Sequence, residues 1–166
     1  MTVVPEFSRP VRVDRIGADG LTQRIEATEA ECAALAVRLD VPAVRRLAAT
    51  FTLRRGESGR IAAEGRLAAR LVRVCVVSLD EFETDMDETF SVLFVPEGAL
   101  GEALDLEGDD EIPYAGGAID LGDAAAEQVA LTLDPYPRRP GAELPAEAGE
   151  AAESPFAVLR QVKGND

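Results

Sequence analysis

Histidine and tryptophan are absent from this 166-residue chain, and lysine occurs once, at Lys163. Without histidine the chain lacks the commonest general base and the commonest metal ligand. Cysteine is limited to Cys32 and Cys75. They are isolated from each other, with nothing nearby to suggest secretion, so neither a zinc site nor a disulfide is expected. Aromatic residues are scarce at 5%, so the core has to rest on Val, Leu, Ile, Ala and Phe. A Walker loop, a dinucleotide fingerprint and a nucleophile elbow are all missing. No catalytic activity, cofactor or small-molecule ligand is therefore expected. No segment is long enough to span a bilayer, and the N-terminus MTVVPEFSRPVRV lacks the apolar run of a signal peptide. A cytoplasmic protein with no membrane partner is the expectation.

What is present is acid. The chain carries 31 acidic residues against 17 basic ones, for a formal net charge of −14. Such a charge favours solubility and repels nucleic acid and anionic membranes at long range. Nearly all the basic residues are arginine, which, beside so much Ala and Gly, reads as the mark of a GC-rich genome.

Periodicity of two governs most of the first hundred residues. Val11 and Val13 alternate with Arg12 and Asp14, and Leu21, Gln23 and Ile25 with Thr22, Arg24 and Glu26, suggesting a first hairpin of 9–16 with 21–26. Thr28-Glu29-Ala30-Glu31 has the spacing of a capping box, and Cys32, Leu35, Ala36 and Leu39 follow at helical intervals until Pro42. Strands are expected at 46–54 and 60–72. In the second, Ile61, Ala63, Leu67, Ala69 and Leu71 share one face while Arg60, Glu64, Arg66 and Arg70 share the other. The apolar run Val72, Val74, Val76, Val77 suggests a strand covered on both faces, or a bulge near Arg73. Carboxylates crowd residues 80–88, read as a turn into a strand at 87–95.

Residues 97–117 are acidic and rich in glycine, and read as a solvated loop. Asp105, Asp109, Asp110 and Glu111 could together hold magnesium, but they lack the pattern of a calcium loop, and an acidic loop is the preferred reading. The run LGDAAAEQVALTL reads as a helix with Leu121, Ala125 and Val129 on one side, stopped by the prolines of LDPYPRRPG. A disordered linker is expected over 142–153 and a short helix over 154–163, opened by Ser154-Pro155. The globular domain is placed at 7–141. The fold class that results is α+β: an antiparallel sheet or partial barrel with two to three packed helices.

Charge is segregated along the chain, with most arginines before residue 74 and most carboxylates after it. Arg60, Arg66 and Arg70 line one strand, with Arg54 and Arg55 on its partner. Arg9, Arg12, Arg15 and Arg24 form a second group. These arginines are either a solvated sheet face or an RNA-contacting stripe, and the residues leave both open.

The order of motifs carries a resemblance. FSRPVRV, the capped helix TEAECAALAVRLDVP, the strand pair ending in CVVSLDEF and its partner, the segment IDLGDAAAEQVALTLDPYPRRPG and the terminal SPFAVLRQVK together resemble the YceD family, in its proteobacterial branch. The family is named for large ribosomal RNA subunit accumulation, and the likeness covers nearly the whole chain. Its most specific pieces include Cys75, Leu79, Asp120, Leu121, Pro135, Tyr136 and Pro137, for which the resemblance implies a structural role. It also implies participation in processing or accumulation of 23S rRNA. Many relatives carry extra cysteines suggestive of zinc after the helix. Here that region is DPYPRRPGAELP, without cysteine, so zinc is not transferred and Cys75 is read as a packing residue. Two partners stay open: precursor 23S rRNA or a large-subunit assembly intermediate, met through the arginine face, and a basic ribosomal protein or processing nuclease recruited without RNA contact.

Overall fold

A computed structural model describes residues 5–98 and 110–143. The expected terminal helix at 154–163 and the linker from residue 144 onward lie outside the described residues. The fold is α+β. Among the described residues seven strands and two α-helices follow in order: β1 (Pro10–Arg12), β2 (Leu21–Glu26), α1 (Glu29–Arg38), β3 (Ala43–Arg55), β4 (Ile61–Val74), β5 (Glu81–Pro96), β6 (Asp110–Tyr114), β7 (Ala118–Asp120) and α2 (Leu121–Thr132).

The long elements β3, β4 and β5 are the backbone of a five-stranded sheet ordered β2-β3-β4-β5-β6. Its first three pairings are antiparallel, and β6 joins β5 in parallel. Alternation in β4 is read directly as burial: Ile61, Ala63, Leu67, Ala69 and Leu71 are enclosed, while Ala62, Glu64, Arg66, Ala68 and Arg70 face solvent. Against the enclosed face pack α1, through Cys32 and Leu35 on β3, and α2, through Leu121, Ala125 and Val129. Phe51, Gly65 and Phe90 stand in one cross-strand row on this face. A Cβ on Gly65 would lie 2.2 Å from the Phe90 ring, so the missing side chain lets that ring meet Phe51 edge-on at 5.5 Å.

Several expectations are corrected. The first hairpin does not exist: β1 pairs with β7, Val11 opposite Ile119, and β2 pairs with β3. Local alternation identified both strands but cannot reveal a partner more than a hundred residues away. The acidic run 80–88 is not a turn. β5 begins at Glu81, and the reversal is the tighter segment Cys75–Asp80. The pairing of β4 with β5 is unbroken through Arg73, and the irregularity lies instead in β3 between Val44 and Arg46. Val74 and Val76 are 39% and 44% exposed, so the valine run is not covered on both faces. The segment 97–117 is not all loop, because it contains β6. Asp110 and Glu111 thus belong to an edge strand, while Asp105 and Asp109 lie outside the described residues.

Candidate functional site

The open face of the sheet holds Arg66 and Arg70 of β4, and it holds carboxylates beside them. Arg70 lies directly opposite Asp85 and grips it at 2.7 and 3.2 Å. Arg66 reaches diagonally to Asp87 with two bonds of 2.9 and 2.7 Å. Both are planar fork-to-fork pairs, the geometry that suits guanidinium and carboxylate best. Each arginine holds its partner's carboxyl below the usual range, and the carboxylate raises the guanidinium in turn. Arg60 meets Glu111 at 3.5 Å, and Arg46 meets Glu26 at 3.0 Å. Arg54 and Arg55, exposed at the end of β3, form no ion pair among the described residues.

Arg9 is used differently. Its guanidinium lies 4.7 Å above the fully buried Phe7 ring and takes both Glu31 oxygens at 2.7 and 2.8 Å. It also donates to the backbone carbonyls of Ser8 and Glu26. Glu31 is the acidic member of the capping box: it accepts from the Thr28 N–H at 2.8 Å while Thr28 Oγ1 accepts from the Glu31 N–H. The Arg9 hydrogen bonds, aided by Thr28, draw the Glu31 carboxyl from 4.5 down to about 2.

Asp120 completes this clasp. Placed at the N-cap of α2, its side chain accepts from the N–H groups of Gly122 and Asp123. It also accepts from the Arg9 N–H at 2.7 Å and from the Ser8 hydroxyl. Gly122 is demanded by the same contact, since a Cβ there would sit 2.6 Å from the Phe7 carbonyl oxygen. One carboxylate therefore ties the Phe7–Arg9 segment to the start of α2, and Leu121 is fully buried immediately behind it.

A third assembly joins two motifs distant in sequence. The turn after β4 closes with Cys75 N–H donating to the Asp80 carbonyl and Leu79 N–H to the Cys75 carbonyl, each at 2.9 Å. The segment following α2, Asp134–Arg139, straps across it. Val76 N–H donates to the Pro137 carbonyl at 2.9 Å, Arg73 to the Asp134 carbonyl, and Arg139 reaches Asp80 at 3.6 Å. Cys75 Sγ is fully enclosed and accepts from the backbone N–H groups of Ser78 at 3.5 Å and Arg139 at 3.4 Å. The Ser78 side chain is the leading cause, and together with these backbone donors it favours the thiolate and lowers the thiol's pKa below that of a free cysteine. Cys75 is therefore the hydrogen-bond acceptor around which turn and strap are organised. Pro135 and Pro137 restrict the backbone of the strap, which bends at Pro135 and Tyr136 with the Tyr136 N–H donating to Asp134 Oδ1, and Tyr136 is 71% exposed.

Among the described residues no three His, Cys, Asp or Glu side chains gather as a metal site would require. None of their helices is long and apolar enough to cross a membrane. A family model described as large ribosomal RNA subunit accumulation protein YceD matches residues 63–163. The chain belongs to the YceD family. No curated protein and no solved structure is significantly similar to it. The YceD match takes in the Cys75 turn, Asp120 and the strap, together with Arg66 and Arg70. It begins after Arg54, Arg55 and Arg60, and after the Ser8 and Arg9 half of the clasp. Sequence reasoning placed Arg9 with the surface arginines. No local pattern marked it otherwise, because its partners Glu31 and Asp120 lie 22 and 111 residues away.

Proposed function

We propose that this YceD protein supports accumulation of 23S rRNA as a non-enzymatic adaptor, engaging a basic protein of the assembling large subunit and not the RNA. The observation that carries this reading is the compensation of the open sheet face. Arg60, Arg66 and Arg70 each face a carboxylate at 2.7–3.5 Å, so a phosphate would first have to displace an intramolecular partner. The net charge of −14 adds a repulsive field that a nucleic acid must overcome before any contact forms. The same field attracts cationic proteins and speeds their association.

A labelled 23S rRNA fragment titrated with the full chain at several salt concentrations tests the reading. Absence of binding at low salt is expected. A measurable affinity with a clear salt slope, lost when Arg60, Arg66 and Arg70 are changed to Glu, would overturn it. Arg54 and Arg55 favour a second reading, RNA contact at the end of β3, because both are exposed without an ion-pair partner among the described residues. Salt-dependent RNA affinity abolished by R54E/R55E alone would establish that alternative.

A further inference from the structure

Leu79 stands where the fold asks for a different residue. Its φ is +61°, in the left-handed region that glycine and asparagine enter readily and bulky side chains avoid. The two hydrogen bonds that close the Cys75–Asp80 turn fix this conformation, so the backbone has no way to relax. The side chain gains nothing in return from its own chain, because it is 76% exposed. Strain and exposed apolar surface both weigh against leucine here, and strain held at an exposed site points to a use outside the chain. The same turn carries Val76, 44% exposed, and the bond from Val76 N–H to the Pro137 carbonyl ties to it the strap that bears Tyr136, 71% exposed.

We propose that the Leu79 turn, with Val76 and Tyr136, is the knob by which this chain docks into an apolar pocket of a basic large-subunit protein. The proposal rests on the adaptor reading and gives it a location. Charge selects the occupant. Arg73 and Arg139 at this tip are spent on the Asp134 carbonyl and on Asp80, and of the strap's arginines only the exposed Arg138 has no ion-pair partner among the described residues. A net charge of −14 disfavours nucleic acid, anionic lipid and a second copy of the chain, and favours a cationic protein. An exposed leucine and tyrosine supply the apolar anchor that such an interface concentrates its affinity in.

The test uses the full chain immobilised and challenged with the mixed proteins extracted from purified large ribosomal subunits, with retained proteins identified and quantified. Wild-type chain is expected to retain a basic protein in a salt-sensitive manner. L79N and L79G are expected to retain at least tenfold less of it while unfolding at the same temperature or higher, since both residues suit the left-handed backbone. Equal retention by L79N overturns the knob and leaves the adaptor reading standing. A lowered melting temperature in both variants assigns Leu79 to the fold and also overturns the knob. If wild-type chain retains no large-subunit protein, both the knob and the adaptor reading fall.

Discussion

Arg9 with Glu31 and Arg70 with Asp85 are the same chemical pair in two settings. The Arg9–Glu31 side chains are 31% and 22% exposed, whereas Arg70 and Asp85 are 54% and 70% exposed. Arg9 also holds two backbone carbonyls and a phenyl ring, and Glu31 also caps a helix. Arg70 and Asp85 have each other and water. Exposed ion pairs contribute little to stability because solvent screens them and fixing two long side chains costs entropy. Partly enclosed, multiply bonded ones are expensive to break, since each lost partner strands a desolvated group. The clasp is therefore a device of the fold, and the sheet face is a device of the surface.

The sharpest way to break this contrast is at Asp120. D120A removes the N-cap of α2 and leaves the Arg9 N–H and the Ser8 hydroxyl without their acceptor. Loss of a cap and of part-buried hydrogen-bond partners together should cost about 3 kcal/mol. Urea titration should show a lower midpoint with an unchanged slope. A loss below about 1 kcal/mol would mean that the clasp is no more than another surface pair. G122A should weaken the same junction by about 2 kcal/mol, because the new methyl would meet Phe7 backbone that cannot swing aside.

Acid offers a second, smaller effect. Glu31 has its carboxyl depressed from 4.5 to about 2, chiefly by Arg9. A depressed carboxyl contributes stability that is fully present above its unfolded value and is lost as pH falls through the folded one. The stability of the wild type should thus drop between about pH 4.5 and 2 by about 2 kcal/mol more than that of E31Q. Parallel curves for the two proteins over that window would show that Glu31 is not held by Arg9 as described.

The two regions were unequally legible in the sequence. Thr28 and Glu31 announced the helix start because a capping box is local, and Ile61 to Leu71 announced β4 because its two faces differ so cleanly. Asp120 and Arg9 gave no such signal. Their partnership depends on β1 meeting β7, a pairing that no alternation within either strand encodes. The run from Glu81 to Glu88 was misread for a related reason. Its carboxylates look like a turn until Arg66 and Arg70 are placed across from them, and then Asp85 and Asp87 are compensated members of a strand's outer row. Leu79 and Tyr136 are motif residues for which a structural role is expected, and only the backbone conformation of Leu79 and the exposure of both set them apart from buried motif residues such as Cys75 and Leu121.

The smallest expected effect on stability is the most informative about the surface. D85N/D87N removes the two carboxylates that face Arg70 and Arg66 and keeps the side-chain shapes. Because both pairs are solvent-exposed, the thermal midpoint should not change measurably. The face itself should change, since two guanidiniums lose their internal partners and the net charge becomes less negative. If intramolecular pairing is what keeps the sheet from holding phosphate, this variant should bind a 23S rRNA fragment with a salt-dependent affinity above that of the wild type. A variant that melts at a lower temperature would put the open face in the same class as the clasp. One that is stable and still silent toward RNA would show that something other than the paired carboxylates, such as the overall negative field, excludes the nucleic acid.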